Sequence, residues 1–301
     1  MARADPAPPP RHFDTWLLLS FVVLTLIWGS TWLVIKTQLG TVPPAWSVTY
    51  RFIIGGGVLL LWCVAARRSF ALGRKGHGFA LVIGLLQFAL NFNFVYHAEF
   101  HVTSGLVALV FAMLVVANAG LAALILKQPI TARFAIGSVI GIAGVALLVG
   151  PDVAQASQVG LGLALAVAGM LAASLSNVLQ ATRLARRLPA EATLALSMLY
   201  GAALNAGYAL VTAGPPVVDP RPEYWLGLAY LSLIASVGAF LIYFAMIRRV
   251  GAPVAGYVSV LVPVVAMSLS TVFESYRWTP LAVGGVLLTL AGMVVALRSR
   301  D

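Results

Sequence analysis

Pro151-Asp152-Val153-Ala154-Gln155-Ala156-Ser157-Gln158-Val159 is short, polar and free of Lys and Arg, and it divides the chain into two apolar halves of nearly equal length. A separator in that position predicts duplication. The expected layout is a tail over 1–15, a first unit over 16–150, a linker over 151–159 and a second unit over 160–298. Within the tail, Ala4 to Pro10 is a Pro/Ala-rich stretch, a composition that buries too little apolar surface to order itself.

On either side of the separator the chain is too apolar for a soluble domain. Of its 301 residues 61% are hydrophobic and 9% charged, where soluble domains carry about 25% charge. Apolar runs of roughly 20 residues, each long enough to cross a hydrocarbon core about 30 Å thick as a helix, recur from end to end. Ten can be marked: Trp16 to Gln38, Ala45 to Ala66, Phe79 to His97, Val102 to Leu126, Phe134 to Gly150, Gly160 to Ala181, Thr193 to Gly214, Trp225 to Ile247, Ala252 to Phe273 and Pro280 to Leu297. The first is too long for the core of a cleaved signal peptide and has no small-residue cleavage site, so it reads as a transmembrane helix.

The net charge of +10 is scattered in pairs between these runs and forms no continuous basic patch, which argues against nucleic acid as a partner. Topology accounts for it. With a cytoplasmic N-terminus the inside segments hold Arg3, Arg11, Arg67, Arg68, Arg74, Lys75, Lys127, Arg133, Arg183, Arg186, Arg187, Arg248, Arg249, Arg298 and Arg300. The outside loops hold only Arg221 and Arg277, and Lys36 and Arg51 fall within spans. Excess positive charge marks cytoplasmic loops, so both termini are expected in the cytoplasm. Cys63, the single cysteine, forms no internal disulfide and leaves the compartment open on redox grounds.

The two halves match at a shift of 145 to 148 residues, their ends at 146 to 148. Ser104-Gly105 corresponds to Val250-Gly251, Ala135 to Gly144 corresponds to Val283 to Gly292, and Pro44-Ala45 corresponds more weakly to Pro189-Ala190. Two copies of five spans must cross the membrane in opposite senses, because five is odd. The expected fold is therefore an all-α polytopic membrane protein of ten transmembrane helices in two inverted five-helix repeats. Such repeats interconvert two packings by exchanging the conformations of the halves, and they place a binding site near the midplane where the halves face each other.

Ile27-Trp28-Gly29-Ser30-Thr31-Trp32 in the first span, Pro44 through Tyr50-Arg51-Phe52 entering the second, and Arg249-Val250-Gly251-Ala252 leading to Pro263 and Glu274 resemble the EamA-type branch of the drug/metabolite transporter superfamily. The resemblance covers nearly the whole chain. It implies a bacterial inner-membrane exporter of small metabolites, with amino acids, as in exporters of the YddG type, prominent among substrates. The first repeat departs from the pattern, having Ala117 and Gln128 where the second has Pro263 and Glu274. Any role of that pair belongs to the second half.

Polar side chains are costly in lipid and face a bundle interior or a wet cavity. The third span is richest, with Gln87 and Asn91 on one face and Asn93 and His97 on another, and Tyr96 beside them. These amides either tie helices together or bind a solute. Ser232, Ser236 and Tyr243 of the eighth span fall within roughly 40° of one another on a helix of 3.6 residues per turn, with Ala239 in the same stripe, suited to close helix packing or to a pathway. Trp28 and Thr31 share a broad face of the first span with Thr25 and Trp32, and Trp28 sits too deep for an interfacial anchor, so it is expected to wall a cavity. At comparable depth the sixth span has Ser174, Asn177 and Gln180.

In the ninth span Gly256, Tyr257, Ser259 and Pro263 come together, and an internal proline frees a backbone carbonyl that serves as a hinge, a polar contact or only a kink. Arg51 and Lys36 lie near the outer ends of their spans and are expected to snorkel to the headgroups. Arg51 has the alternative of pairing with Glu99 or Glu274 as an outer gate. Gly137-xxx-Gly141 is a helix-packing motif, either within the bundle or against a second protomer, and the oligomeric state stays open.

No Asp or Glu falls at the middle of a span, so a midplane carboxylate relay is unsupported. There is no Gly-rich nucleotide loop, no Cys/His metal cluster and no acid pair suited to magnesium-dependent prenyl chemistry. A non-enzymatic transporter without cofactor is the expectation, its partners a small-molecule substrate and membrane lipid. The proposed cavity lining is Trp28, Thr31, Gln87, Asn91, Tyr96, Asn177, Ser236, Tyr243 and Tyr257, with Pro263, Arg51 and Glu274 as hinge or gate.

Overall fold

The computed structural model describes residues 15–155, 157–256 and 258–297, and among these the regular structure is helical. Ten long segments follow in order: α1 (Thr15–Thr37), α2 (Pro44–Ala65), α3 (Gly73–Ala98), α4 (Ser104–Leu126), α5 (Ala132–Gln155), α6 (Ser157–Gln180), α7 (Ala190–Thr212), α8 (Pro222–Val250), α9 (Val258–Phe273) and α10 (Pro280–Leu297). Of these α1 to α4 and α6 to α8 are each long and apolar enough to cross a membrane. Shorter apolar stretches lie in α5 (Ala132–Leu147), α9 (Leu261–Phe273) and α10 (Pro280–Gly292).

The separator between the halves is not an open loop. α5 runs on to Gln155 and α6 starts at Ser157, so the polar stretch is helical on both sides of residue 156. Helix starts follow from the proline positions: Pro44 and Pro222 open α2 and α8, where the missing N–H would have been unpaired anyway. Gly251 ends α8 at φ +87°, a left-handed conformation that glycine adopts without steric cost.

Two features carry the repeat into three dimensions. α3 and α8 each contain a wide π-type stretch, Gly84–Leu90 and Tyr230–Gly238, and their starts are 146 residues apart, the same shift as the sequence match. α5 and α10 also meet reciprocally. A Cβ on Gly292 would lie 2.3 Å from the Gly141 nitrogen and 2.7 Å from the Gly137 carbonyl, and one on Gly144 would lie 2.4 Å from the Thr289 nitrogen and 2.7 Å from the Gly285 carbonyl. Shifted by 148, Gly285, Thr289 and Gly292 become Gly137, Gly141 and Gly144, so each helix presents equivalent positions to the other. This also assigns the Gly137-xxx-Gly141 motif to packing inside the chain.

The remaining helices pair across the halves, α2 along α7, α1 along α9 and α6 along α4 and α3. The main core lies between α1 to α4 and α6 to α9, while large apolar side chains such as Leu61, Leu124, Val211 and Val272 face outward. In water such a belt would drive association, whereas in lipid it is the required exterior.

Candidate functional site

A cavity partly open to solvent lies at the meeting of the halves, between α1, α2, α3, α4, α6, α8 and α9. One wall is aromatic. The Trp28 ring stands edge-on to Tyr243 with centroids 4.8 Å apart and tilts against Phe240 at 5.6 Å, and Phe240 packs in turn on Phe88 and Phe92. Trp32 packs on Phe111 at 5.0 Å. Pairs of this geometry contribute about 0.5–1.5 kcal/mol each beyond burial, so this wall is held in shape.

The π-type stretches build the polar part. An i to i+5 turn loosens the backbone ladder and turns carbonyls toward other helices. The Trp28 indole donates to the Ala235 carbonyl at 3.3 Å, and Ser236 Oγ donates to the Leu231 carbonyl five residues back. On the other side Asn205 Nδ2 donates to the Phe88 carbonyl at 2.9 Å, and Asn93 Nδ2 donates to Asn205 Oδ1. The face of α3 carrying Asn93 and His97 therefore fastens helices, with the His97 ring hydrogen-bonded to the Asn93 carbonyl at 2.7 Å. The face carrying Gln87 and Asn91 lines the cavity.

Opposite the aromatic wall lies Arg51, 1% exposed. Its Nε donates to Ser236 Oγ at 2.9 Å, its guanidinium covers the Phe92 ring at 4.3 Å, and the Tyr96 phenol stands beside it. Nη1 has no hydrogen-bond partner among the described residues, and neither do Gln87 Oε1 and Asn91 Oδ1. A snorkelling Arg51 is ruled out by that burial. A direct ion pair of Arg51 with Glu99 or Glu274 is likewise not formed; Glu274 instead pairs with Lys36 at 3.5 Å and accepts hydrogen bonds from Ser104 and Ser270. Arg51 turns inward because α2 presents it to α8 at the π-type stretch, where Ser236 waits as an acceptor.

Of the residues singled out from the sequence, Trp28, Thr31, Gln87, Asn91, Asn177 and Tyr243 line the cavity. Ser236 and Tyr96 stand behind Arg51 rather than in the wall. The uniform stripe expected along α8 is broken by its π-type stretch: Ser232 Oγ turns back to the Leu228 carbonyl, while Ser236 faces α2. The Tyr243 hydroxyl faces Asn118. Pro263 is buried within α9 outside the lining, and Tyr257 lies outside the described residues. Sequence reasoning missed Phe92, Phe111 and Phe240 in the lining. Phe240 precedes Tyr243 by one turn, a spacing that signals a shared face.

The model of the EamA-like transporter family matches this chain twice, over residues 15–150 and 160–298. The chain belongs to the EamA-like transporter family. Among its relatives are protein PagO of Salmonella typhimurium, 24% identical over 93% of this chain and 94% of that protein, and the uncharacterized transporter sll0355 of Synechocystis, 24% identical over 91% and 88%. A solved crystal structure, 23% identical and covering 94% of this chain and 98% of its own, superposes with a TM-score of 0.69 and shares the fold. The EamA-like match falls on both halves, and the protein is a multi-pass membrane transporter. In the cavity the two family units jointly enclose buried polar groups that have no hydrogen-bond partner among the described residues.

Proposed function

We propose that this transporter exports small zwitterionic metabolites, amino acids foremost, across the bacterial cytoplasmic membrane by alternating access through the central cavity. The observation that carries the reading is Arg51, a buried guanidinium in the lining with a free Nη1. A planar guanidinium recognises a carboxylate through parallel hydrogen bonds. Gln87 Oε1 and Asn91 Oδ1, two unpaired acceptors in the same cavity, suit an ammonium group. The Trp28, Phe240 and Tyr243 wall suits an apolar side chain.

Inverted repeats support alternating access, since two half-chains of like sequence can exchange conformations. An orientation with both termini in the cytoplasm is supported by the distribution of Lys and Arg. Counterflow of a panel of labelled amino acids in proteoliposomes, with and without a pH gradient, tests the proposal. Flux of at least one amino acid that Arg51→Gln removes supports it, and no flux of any amino acid rejects the substrate class. A cationic aromatic drug is the second reading, favoured by the aromatic wall, and the Arg51 charge opposes it.

A further inference from the structure

A second cluster of charge lies at the end of the bundle where α3 runs into α4. Glu99, the first residue after α3, is 1% exposed, and neither of its carboxylate oxygens has a hydrogen-bond partner among the described residues. Glu274, just after α9, is close enough for the two charges to interact, yet its surroundings differ. It accepts from the Ser104 hydroxyl, the Ser104 backbone at 3.3 Å and the Ser270 hydroxyl, and it pairs with Lys36 at 3.5 Å. A buried carboxylate without donors is costly to ionise, and two carboxylates sharing one cation do not both ionise readily. We propose that Glu99 is a proton-binding site, carrying the proton that the pair retains while Glu274 stays ionised.

The groups facing Glu99 are Lys36 from α1, Arg51 from α2, Tyr96 one turn earlier on α3, and Glu274. The Cβ of His101 lies against Gly162 of α6. Burial pushes the Glu99 carboxyl well above its usual range, and the Glu274 charge adds to this, while Lys36 and Arg51 oppose without reversing it. At Glu274 burial also pushes upward, but the hydrogen bonds from Ser104 and Ser270 and the Lys36 charge outweigh it. A metal cation is a poor occupant, because Lys36 and Arg51 both repel it. A proton neutralises Glu99 without adding a charge beyond the carboxylate it fills, and it leaves the Arg51 guanidinium uncommitted. Loss of the proton to solvent would leave a charge on Glu99 that competes for Lys36 and Arg51, which connects this site to the cavity.

The test is infrared difference spectroscopy of the full chain in nanodiscs, titrated with pH and read at the carbonyl stretch of a protonated carboxylic acid. The band is expected in the parent at neutral pH, lost in Glu99→Gln and kept in Glu223→Gln, an exposed control. Should Glu99→Gln not fold, Glu274→Gln supplies the reading: removing the like charge and freeing Lys36 moves disappearance of the band to lower pH. A band that persists in Glu99→Gln, a parent without one at neutral pH, or a Glu274→Gln titration identical to the parent overturns the proposal. The readout uses no substrate, so it stands or falls apart from the reading of the cavity.

Discussion

Arg51 Nε donates to Ser236 Oγ at 2.9 Å, joining α2 of the first repeat to the π-type stretch of α8 in the second. The bond fixes the plane of the guanidinium and leaves Nη1 for a ligand. A hydrogen bond to a charged group contributes about 1.5–3 kcal/mol, which corresponds to roughly 10- to 100-fold in affinity. Arg51→Gln is expected to cut uptake of carboxylate-bearing solutes into proteoliposomes by that factor. Ser236→Ala, which loosens the orientation and keeps the charge, should fall between Arg51→Gln and the parent.

Trp28 braces the aromatic wall through two ring contacts and the bond to the Ala235 carbonyl. Trp28→Ala removes all three and opens space beside Tyr243, and large aromatic truncations in cores cost about 3–5 kcal/mol. Reduced thermal stability and impaired flux are expected together. Trp28→Phe keeps a ring and loses the indole donor, so most of the stability should survive, with the flux defect smaller. Asn91→Ala and Tyr243→Ala, assayed alongside, should impair flux as well; unchanged transport in all of these would reject the site.

Several of these contacts explain which parts of the molecule are legible from residues alone. Lipid demands about 20 apolar residues per crossing, so spans can be read from composition, and duplication preserves spacing, so the match of Gly144 to Gly292 survives divergence. The π-type stretches leave no such mark, since one extra residue in a turn changes helical phase without changing composition. Ser232 and Ser236 therefore part company although a regular helix would align them. The inward turn of Arg51 leaves no mark in the sequence for a related reason. Its position near a span end implies a route to the headgroups, but the direction of its side chain is decided by Ser236 and Phe92, which belong to other helices.

The α5 and α10 contact leaves no room for a Cβ at Gly144 or Gly292. Gly292→Ala would drive a Cβ to 2.3 Å from the Gly141 nitrogen, so two backbones must separate, while Gly120→Ala meets nothing within 4 Å. Overpacking of this kind costs about 1–3 kcal/mol. Thermal unfolding in detergent should show Gly292→Ala clearly less stable and Gly120→Ala close to the parent.

Acid should loosen the loop before α8. Arg221 donates to both Asp219 oxygens, with Nη2 to Oδ2 at 2.6 Å, and the Trp225 indole donates to the Asp219 carbonyl at 2.8 Å. The Arg221 hydrogen bonds hold the Asp219 carboxyl below its usual 3.8, at about 2. A depressed folded-state value means that the stabilisation is complete above the usual value and disappears as the pH falls through about 2. Pepsin cleavage within 213–221 should therefore rise between pH 3.8 and about 2, and Asp219→Asn should remove that dependence by being susceptible throughout.

The orientation of the whole molecule rests on the stretch that joins its halves. Five helices precede Ser157, and the Lys and Arg distribution favours a cytoplasmic N-terminus, so the junction of α5 and α6 is expected outside. Cys63, the only native thiol, is buried in α2, which makes a single added cysteine a clean reporter. Ser157→Cys should react with a membrane-impermeant maleimide added to intact cells, at a rate matching that in opened vesicles. Protection in intact cells with labelling after opening would invert every helix, carry Arg3 and Arg11 to the outside, and move the Glu99 cluster to the cytoplasmic end.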